Sequence, residues 1–467
     1  MNGQAPGAWC RESMLTALRG SDRPLGREEP LVARALASSD LRVVLIESPA
    51  RARVWWVSSG DAPVWETVEV EGHIVDSLIL AKVLDVISNA GGEYRMLEVE
   101  IGRTKAEPSS ARFEVGASDQ AALDALLDDL QVYGLNRLDS EDAAVATTDL
   151  DGVFPEGFYS TTNLPTSVRV AGHWRAVENP EMDCGVVILP DSRVRTVPMH
   201  RVRKGDRIVL GHAGVRVEAP SRTPGAVAFE FMRSDVSSEK PKAILIAQVA
   251  ERIRESKAAE RKVLAVCGPA VVHTGAGPHL ARMVHEGWVD VLFAGNGFAT
   301  HDLESNVFGT SLGISVREGS PIEGGHANHL RLINEIRRHG SIAGAVEAGY
   351  VTGGVMYECV RRQVPFVLAG SIRDDGPLPD VLSDVVRAAD AMRGELDGVG
   401  VALMLASTLH AIATGNLLPA WVETYCVDIN QAVVTKLADR GSHQALGLVT
   451  DIGLFVRDLA NQLCSIP

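Results

Sequence analysis

Two polar clusters stand directly behind the first two long apolar runs in the second half of this 467-residue chain. His273 and Thr274 lie in PAVVHTGAG, where glycines permit a close approach between the backbone and a ligand. Asn296 and Gly297 follow the next run and could present a side-chain amide beside bare backbone. The glycines of the first cluster and the helix N-terminus behind them could bind a pyrophosphate, although an ordinary tight turn would also use such glycines.

Charged residues follow the next two apolar runs. Arg373, Asp374 and Asp375 share the turn SIRDDGP, and because such a turn needs only one aspartate, the charged cluster favours contact with a ligand. His410 follows the run VALMLAS. A lone histidine among apolar residues can be structural, but imidazole titrates nearest neutrality and could serve as a general base at a strand end.

Carboxylates end the last two apolar runs and also stand at the head of one predicted helix. Asp428 and Asp451 occupy positions where a carboxylate commonly accepts hydrogen bonds from ribose hydroxyls. Either aspartate could instead cap the following helix. The same alternative applies to Asp302 and Glu304, since acidic residues are favoured near a helix N-terminus. Two strand-end aspartates and a glycine-rich loop together favour a nucleotide site.

The first half of the chain holds a second group of charged residues. Glu178, Glu181 and Asp183 could pair with the ammonium group of a substrate. Arg169 or Arg233 could bind a carboxylate through two parallel hydrogen bonds. Simple solvation at the surface is the favoured interpretation for each of them.

A parallel sheet is needed to bring the strand-end clusters together. Runs that are apolar on both faces and alternate with helical segments are typical of a buried parallel sheet. Ligands bind beyond the carboxyl ends of such strands. We therefore predict an α/β, Rossmann-like domain over residues 239–467, built on the runs VLAVCG, VDVLFAG, PFVLAG, VALMLAS, YCVDIN and LGLVTD.

Two smaller domains are predicted ahead of this sheet. Residues 61–148 follow the order strand–helix–strand–strand–helix, which is typical of a small split-βαβ domain. Residues 149–238 contain short alternating runs, which favour a compact β-barrel or sandwich. Residues 1–60 carry only two predicted strands, 41–48 and 53–59, and are expected to form an extension or small cap.

Composition limits the partners of the chain. Its 45 basic and 60 acidic residues give a net charge of −15, which argues against binding to nucleic acids or anionic membranes. The six cysteines form no C-x-x-C pair, so neither a zinc site nor a disulfide framework is expected. The N-terminal residues lack a secretory signal, and no apolar run reaches the ~18 residues of a membrane helix. We expect a cytoplasmic protein without a bound metal.

Longer motifs carry a family resemblance. The chain resembles the archaeal-type ornithine cyclodeaminase family in segments that include GFYSTTN, VENPEMDC, GPAVVHTGAG, EGGHANHLRLINEIRR, SIRDDGPLPDV and VDINQAVVTKLADRGS. That family is also described as the conserved domain of bifunctional lysine-2-oxoglutarate reductase/saccharopine dehydrogenase. It forms the C-terminal half of arginine dihydrolase–ornithine cyclodeaminase fusions as well. The resemblance begins near Glu71, and residues 1–60 are too short to hold the dihydrolase domain.

A fainter likeness connects the strand-end turns to the NAD-binding domain of deoxyhypusine synthase. The lysine-bearing segment on which that enzyme forms its covalent intermediate has no counterpart in this chain, which argues against transferase chemistry.

The ornithine cyclodeaminase resemblance implies conversion of L-ornithine to L-proline and ammonia, with NAD+ regenerated in each turnover. It also implies association into a homodimer or homotetramer. NAD is expected to contact Asn296, Gly297, Asp375, Ser407, Thr408, Leu409, His410, Asp428, Asp451 and Ile452, and the glycine-rich loop adds His273 and Thr274.

The implied reaction requires a base for the substrate amine and a cation for its carboxylate. His410 is the first candidate for the base, and Asp375 would orient the ribose or the amine. Asp302 and Asn163 are further catalytic candidates. The candidates for the cation, between which the sequence does not choose, are Arg169, Arg233 and Arg373.

Two other functions agree with the same sequence features. One is an NAD-dependent oxidoreductase that acts on a related amino or imino acid and accumulates NADH. The other is a non-catalytic NAD-binding regulator controlled through the domain at 61–148. Substrate-dependent turnover would reject the regulator, and the absence of NADH accumulation would reject the oxidoreductase.

Overall fold

The computed structural model describes most of the chain, with side chains described from residue 64 onward. The described residues are 34–38, 41–48, 51–57, 64–72, 74–75, 79–102, 107–131, 133–138, 141–218, 242–311, 314–315, 327–374, 376–433 and 445–464. Asp375 and Arg233, two of the predicted site residues, lie outside these ranges. None of the helices in the described part of the chain combines the length and apolar character needed to span a bilayer.

The first sheet has seven strands, all paired antiparallel in the order β1-β2-β3-β5-β6-β4-β7. Apolar residues alternate along its strands, and those facing two helices form a separate core. Its elements are β1 Arg34–Ser38, β2 Leu41–Ser48, β3 Arg51–Val57, β4 Val64–Gly72, α1 Ile79–Asn89, β5 Glu93–Glu100, β6 Ser109–Ala117, α2 Gln120–Gln131 and β7 Leu135–Arg137.

The elements from β4 to β7 follow the predicted split-βαβ order, with a closing strand added after the second helix. The first three strands extend the same sheet, because β3 pairs with β5 where Val57 lies opposite Arg95. The predicted boundary at residue 60 therefore falls between strands of one continuous sheet.

The second sheet has seven short strands in the order β14-β9-β10-β12-β11-β13-β8. Only the β10–β12 pair is parallel, and a small core around the fully buried Tyr159 lies against the sheet. Its strands are β8 Ala144–Thr147, β9 Thr166–Val170, β10 His173–Glu178, β11 Gly185–Ile188, β12 Val194–Val197, β13 Arg207–Leu210 and β14 Val215–Val217, with a 3₁₀ turn at Met199–Arg201.

The third sheet is parallel throughout, in the order β20-β19-β16-β15-β21-β22-β23, which confirms the predicted α/β fold. Helices connect its strands, and every residue of the central strand β21 is buried. The strands are β15 Lys262–Cys267, β16 Val291–Gly295, β19 Phe366–Ala369, β20 Val381–Leu382, β21 Val399–Leu405, β22 Glu423–Asp428 and β23 Ala445–Val449.

The described connecting segments contain a series of helices and a small hairpin, which is formed by β17 Thr310–Ser311 and β18 Ile314–Ser315. The helices are α3 Lys242–Ala258, α4 Ala270–His273, α5 Gly277–His285, α6 Asn296–Phe308, α7 Asn328–Arg338, α8 Ile342–Glu347, α9 Val355–Arg362, α10 Val385–Glu395, α11 Leu409–Leu417 and α12 Ile452–Leu463.

The order of the strands reverses at β15. The chain adds β16, β19 and β20 on one side of β15 and then crosses to add β21, β22 and β23 on the other. A reversal of this kind opens a crevice beyond the carboxyl ends of the two central strands. The crevice between the ends of β15 and β21 is therefore where the fold places a ligand.

An ion pair between the buried Glu181, in the loop after β10, and the partly buried Arg393 joins the second sheet's domain to the parallel-sheet domain. The Arg393 guanidinium on α10 donates to both carboxylate oxygens of Glu181, at distances from 2.6 to 3.0 Å. Backbone bonds from Met182 to the Asn416 carbonyl and from Ala420 to the Asn163 carbonyl lie beside it, at 3.0 and 2.8 Å. The two domains are thus held together by a charged pair and by backbone hydrogen bonds.

Replacement of Arg393 by methionine tests this contact. Arg393→Met leaves the Glu181 carboxylate buried without its cation, and we expect the free energy of unfolding to fall by about 3 kcal/mol. Urea denaturation measures the change. Arg193→Met is the matched control, since it removes an exposed ion pair with Asp191 and should leave the midpoint unchanged. An equal effect of the two substitutions would contradict the role of the buried pair.

Candidate active site

Asn296 and Gly297 follow β16 directly, as the sequence predicts, but they already open helix α6. Asp302 and Glu304 therefore lie within the helix and not at its head, which rules out the helix-terminus alternative for them. Asn296 is buried, and its Oδ1 accepts hydrogen bonds from the Leu378 backbone N–H at 3.0 Å and from the Thr300 hydroxyl at 3.4 Å. Its amide oxygen therefore fixes the loop after β19 against α6. A Cβ on Gly297 would lie 3.3 Å from the Pro269 ring, so this glycine lets the loop after β15 approach the helix.

His410 lies in the first turn of α11, against the end of β16. A Cβ on Gly295 would lie 2.8 Å from His410 Cε1, so the imidazole fills the space that a side chain would take. Burial lowers the pKa of His410 below its usual value, and a hydrogen bond to the Ala369 carbonyl and the Asp374 carboxylate partly offset this effect. The imidazole is consequently neutral at neutral pH and able to accept a proton.

Asp374 is a described acidic residue whose charge acts on His410. Its Oδ2 accepts a hydrogen bond from the Ser371 backbone N–H at 2.8 Å, which shapes the turn after β19. Its neighbour Asp375, which the sequence favoured within the same cluster, lies outside the described residues and stays a prediction. Arg373 in the same turn is exposed.

Exposed apolar side chains line the same edge of the sheet. Ile372, Leu409 and Ile429 follow β19, β21 and β22, and each is more than two-thirds exposed. Ser407, by contrast, is buried beside Thr408 at the end of β21. Exposed apolar side chains at the mouth of a crevice are typical of a ligand-binding surface.

The strand-end aspartates shape the backbone behind β22 and β23. Asp428 Oδ1 accepts a hydrogen bond from the Asn430 N–H, and Asp451 Oδ1 accepts one from the Leu454 N–H, both at 2.8 Å. The capping alternative is therefore realised for Asp451, which begins α12. Ile452, the next predicted contact, is buried.

Thr274 and the start of α12 are in close contact. A Cβ on Gly453 would lie 2.8 Å from the Thr274 carbonyl oxygen and 3.2 Å from Asp451 Oδ1. The loop after β15 and the turn after β23 thus meet at the same edge, although they are distant in the sequence.

Asp302 and Asn163, the two further catalytic candidates, hold the backbone of other elements. The oxygens of Asp302 accept hydrogen bonds from the N–H groups of Val355 and Met356, at 3.0 and 2.9 Å, and so fix the start of α9. Burial raises the pKa of Asp302 to about 6. Asn163 lies at the domain contact, where its Nδ2 donates to the Leu418 carbonyl at 3.3 Å. Their catalytic roles stay predictions.

The charged residues of the first half have partners within the chain. Glu181 binds Arg393, as described above, instead of standing ready for a substrate ammonium. Arg169 Nε lies 3.6 Å from Asp142, and Glu178 lies 3.4 Å from Arg193. These contacts agree with the solvation alternative for Glu178 and with a structural role for Glu181.

A group of imidazoles with one carboxylate lies beside the predicted cofactor loop, and the sequence reasoning missed it as a unit. The rings of His273 and His301 are 4.8 Å apart, and those of His301 and His329 are 5.3 Å apart. Glu304 is fully buried one turn after His301. The i, i+3 spacing of His301 and Glu304 was visible in the sequence, but the contributions of α4 and α7 were not.

A parallel sheet with a switch point, glycine-lined turns and a buried histidine defines a Rossmann-fold protein with its ligand site at the carboxyl edge. Three family models match consecutive parts of the chain. The Rossmann fold of the C-terminal part of ArgZ-like arginine dihydrolases matches residues 247–459, and its first region matches 165–246. The conserved region of the LOR/SDH bifunctional enzyme matches residues 65–164.

Individual relatives agree with these matches. The ornithine cyclodeaminase of Methanocaldococcus jannaschii is 50% identical over 403 residues, which are 85% of this chain and 95% of that protein. The solved structure of ArgZ, a cyanobacterial arginine dihydrolase, has 36% identity and a TM-score of 0.75, and it covers 88% of this chain and 61% of that one. A LOR/SDH protein of Methanococcus maripaludis has 46% identity and a TM-score of 0.65, over 69% and 98% of the two chains.

The chain belongs to the ornithine cyclodeaminase family, as the motifs quoted from its sequence indicated.

Asp451→Ala tests whether this aspartate binds a ligand in addition to capping α12. We expect the loss of the cap to cost about 1 kcal/mol of stability and the loss of a ribose contact to weaken NAD binding about tenfold. Fluorescence titration with NADH measures the affinity, and thermal unfolding measures the stability. Ser341→Ala removes a comparable cap from α8, so equal NAD affinity in both variants would show that Asp451 only caps its helix.

Proposed function

We propose that this protein is an NAD-dependent ornithine cyclodeaminase, a lyase that converts L-ornithine to L-proline and ammonia. The proposal for the substrate rests on the 50% identity to the Methanocaldococcus jannaschii protein of that name, which extends over 85% of this chain and 95% of that protein. The Rossmann fold and the crevice between β15 and β21 support the cofactor.

The residues at the carboxyl edge fit a dinucleotide. Close approaches at Gly297 and Gly453 leave bare backbone at two of the turns, which suits a pyrophosphate bound by N–H groups. Asp428 and Asp451 place carboxylates where ribose hydroxyls are usually bound. Asn296, Ser407, Thr408 and Leu409 complete the proposed contacts together with Asp375. When bound, NAD+ would accept a hydride from the substrate and return it to the cyclic product precursor.

His410 is the proposed base for the substrate α-amine. An α-ammonium group must lose a proton before a hydride can leave its carbon, and a neutral imidazole can take that proton. The lowered pKa of His410 keeps it neutral at the working pH, and the charge of Asp374 favours its protonated form once a proton has been taken. The apolar side chains of Ile372, Leu409 and Ile429 would exclude water while the imine exists.

Incubation of the purified protein with NAD+ and L-ornithine tests the function directly. We expect L-proline and ammonia in equal amounts and no accumulation of NADH, because each turnover returns the hydride. Amino-acid analysis and absorbance of the reduced nicotinamide measure the two quantities. Accumulation of one NADH for each ornithine consumed would identify an amino-acid oxidoreductase instead, and binding of NAD+ without turnover would identify a regulator.

His410→Ala should lower kcat for proline formation by at least about 100-fold, because it removes the proposed base. The urea midpoint should change little, since the ring lies at the crevice and not in the apolar core, and turnover is measured at saturating NAD+ because His410 is also an expected cofactor contact. His285→Ala is the matched control, as that side chain is exposed on α5. Retention of wild-type turnover in His410→Ala would remove it from the mechanism.

Subunit association and location remain expectations from the family resemblance. A homodimer or homotetramer is proposed, with a place in the metabolism of arginine, ornithine and proline in the cytoplasm.

A further inference from the structure

The histidine cluster, which we define as His273, His301, Glu304 and His329, has a buried side and an exposed side. Glu304 is fully buried, and its Oε1 accepts a hydrogen bond from the Thr310 hydroxyl at 2.7 Å. His301 is also buried, and its Nδ1 lies 3.4 Å from Glu304 Oε2 without a hydrogen-bond partner among the described residues. A carboxylate and an imidazole have thus been removed from water together at the base of the cluster.

His273 is the exposed member of the cluster. It ends the short helix α4 behind β15, and its Nδ1 lies 2.8 Å from the Ser311 hydroxyl. The hydroxyl contact orients the ring and leaves Nε2 as the second site of proton exchange. The next residue, Thr274, packs against the start of α12, so His273 stands at the proposed cofactor loop.

Burial lowers the pKa of His273, and the neighbouring His301 lowers it further, whereas the Glu304 carboxylate raises it. The ring of His273 is therefore neutral near pH 7 and can accept a proton. The negative charge of Glu304 would then stabilise the protonated ring of His273. This arrangement resembles a base whose imidazole is backed by a buried carboxylate.

Ornithine carries two ammonium groups, and cyclisation requires a proton from each. The α-ammonium must become an amine before the hydride leaves, and the side-chain ammonium must become an amine before it can attack the α-carbon. A side-chain amine of this kind has an unperturbed pKa near 10.4, so it needs its own proton acceptor. One histidine cannot hold both protons at once.

We propose that His273 is the second base, which removes the proton from the side-chain ammonium of the substrate. The proposal rests on the proposed ornithine cyclodeaminase function. The freed side-chain nitrogen forms a bond to the α-carbon, the bond from that carbon to the α-nitrogen breaks, and ammonia leaves. His273 returns its proton to the departing nitrogen, so no proton is gained or lost. His301 and Glu304 are positioning residues. His301 packs against the ring of His273, and the negative charge of Glu304 offsets the positive charge of that ring when it is protonated.

The positions of His273 and His410 in the fold support separate proton-transfer roles for the two residues. His273 follows β15 and His410 follows β21, and these strands are paired neighbours at the switch point. Both histidines therefore follow neighbouring strands at the carboxyl edge of the sheet, where the proposed substrate would bind.

His273→Gln separates the two proton transfers. We expect proline formation to fall by at least about 100-fold. At NAD+ concentrations that saturate the variant, a condition needed because His273 is also an expected cofactor contact, the first hydride transfer should persist. Ornithine should then cause accumulation of NADH up to one equivalent for each subunit. Stopped-flow absorbance of reduced nicotinamide and amino-acid analysis measure the two. His410→Ala should show neither product, and the exposed His285→Gln should match the wild type.

Glu304→Gln tests the positioning role through a pH profile. Removal of the carboxylate lowers the pKa of His273 further, so the acidic limb of the kcat profile should move to lower pH while NAD affinity is unchanged. Among the described groups, His301 and Glu304 on α6 change the pKa of His273, and His329 on α7 lies against His301.

The outcomes keep the two proposals apart. A wild-type protein that forms no proline refutes the proposed function itself. An active wild type together with a His273→Gln variant that turns over normally, or that loses NAD binding, overturns the second-base role alone. A transition metal present at one equivalent for each subunit, whose removal by a chelator abolishes turnover, would also overturn it, since the nitrogen and oxygen atoms of His301, Glu304 and His329 lie within 4.8 Å of one another.

Discussion

The close approach of the two central strand ends is the constraint on which the rest of the site depends. A Cβ on Gly268 would overlap the carbonyl oxygen of Ala406, and one on Gly295 would collide with the ring of His410. Ala406 itself adopts a positive φ of 48°, so the chain turns sharply where β21 ends. The connection after β15 and the connection after β21 lead to opposite sides of the sheet, so the loops behind these strands line one crevice. His410 lies at the edge of the sheet that carries this crevice.

Many of the polar residues near this crevice hold backbone segments in place. Asn296 fixes the loop after β19, Asp302 fixes the start of α9, and Asp451 begins α12. Asn296 and Asp302 satisfy buried N–H groups, which would cost free energy if left without partners in a dry interior, whereas Asp451 binds an exposed N–H at a helix start. The side chains left to exchange protons at the crevice are imidazoles, and their lowered pKa values follow from the same burial.

Apolar runs and glycine positions were sufficient to predict the parallel sheet, because strands buried on both faces must be apolar throughout. The predicted strand at 53–59 is found at Arg51–Val57, and its union with the first sheet was missed because edge pairing leaves no periodic signal. For Glu181, the sequence did not show which residue is its partner. Its partner Arg393 is 212 residues away, and nothing local distinguishes a buried acid with such a partner from a solvated one.

By itself, the sequence determined the α/β class, the edge of the sheet that carries the site and the family, since these depend on local patterns and on long shared motifs. Only the tertiary structure decided which polar residues cap helices, that His410 fills the space beside Gly295, and that α4, α6 and α7 bring three imidazoles to Glu304. The reason is physical. A side chain's protonation and partners depend on burial and on contacts between distant segments, which spacing along one chain does not contain.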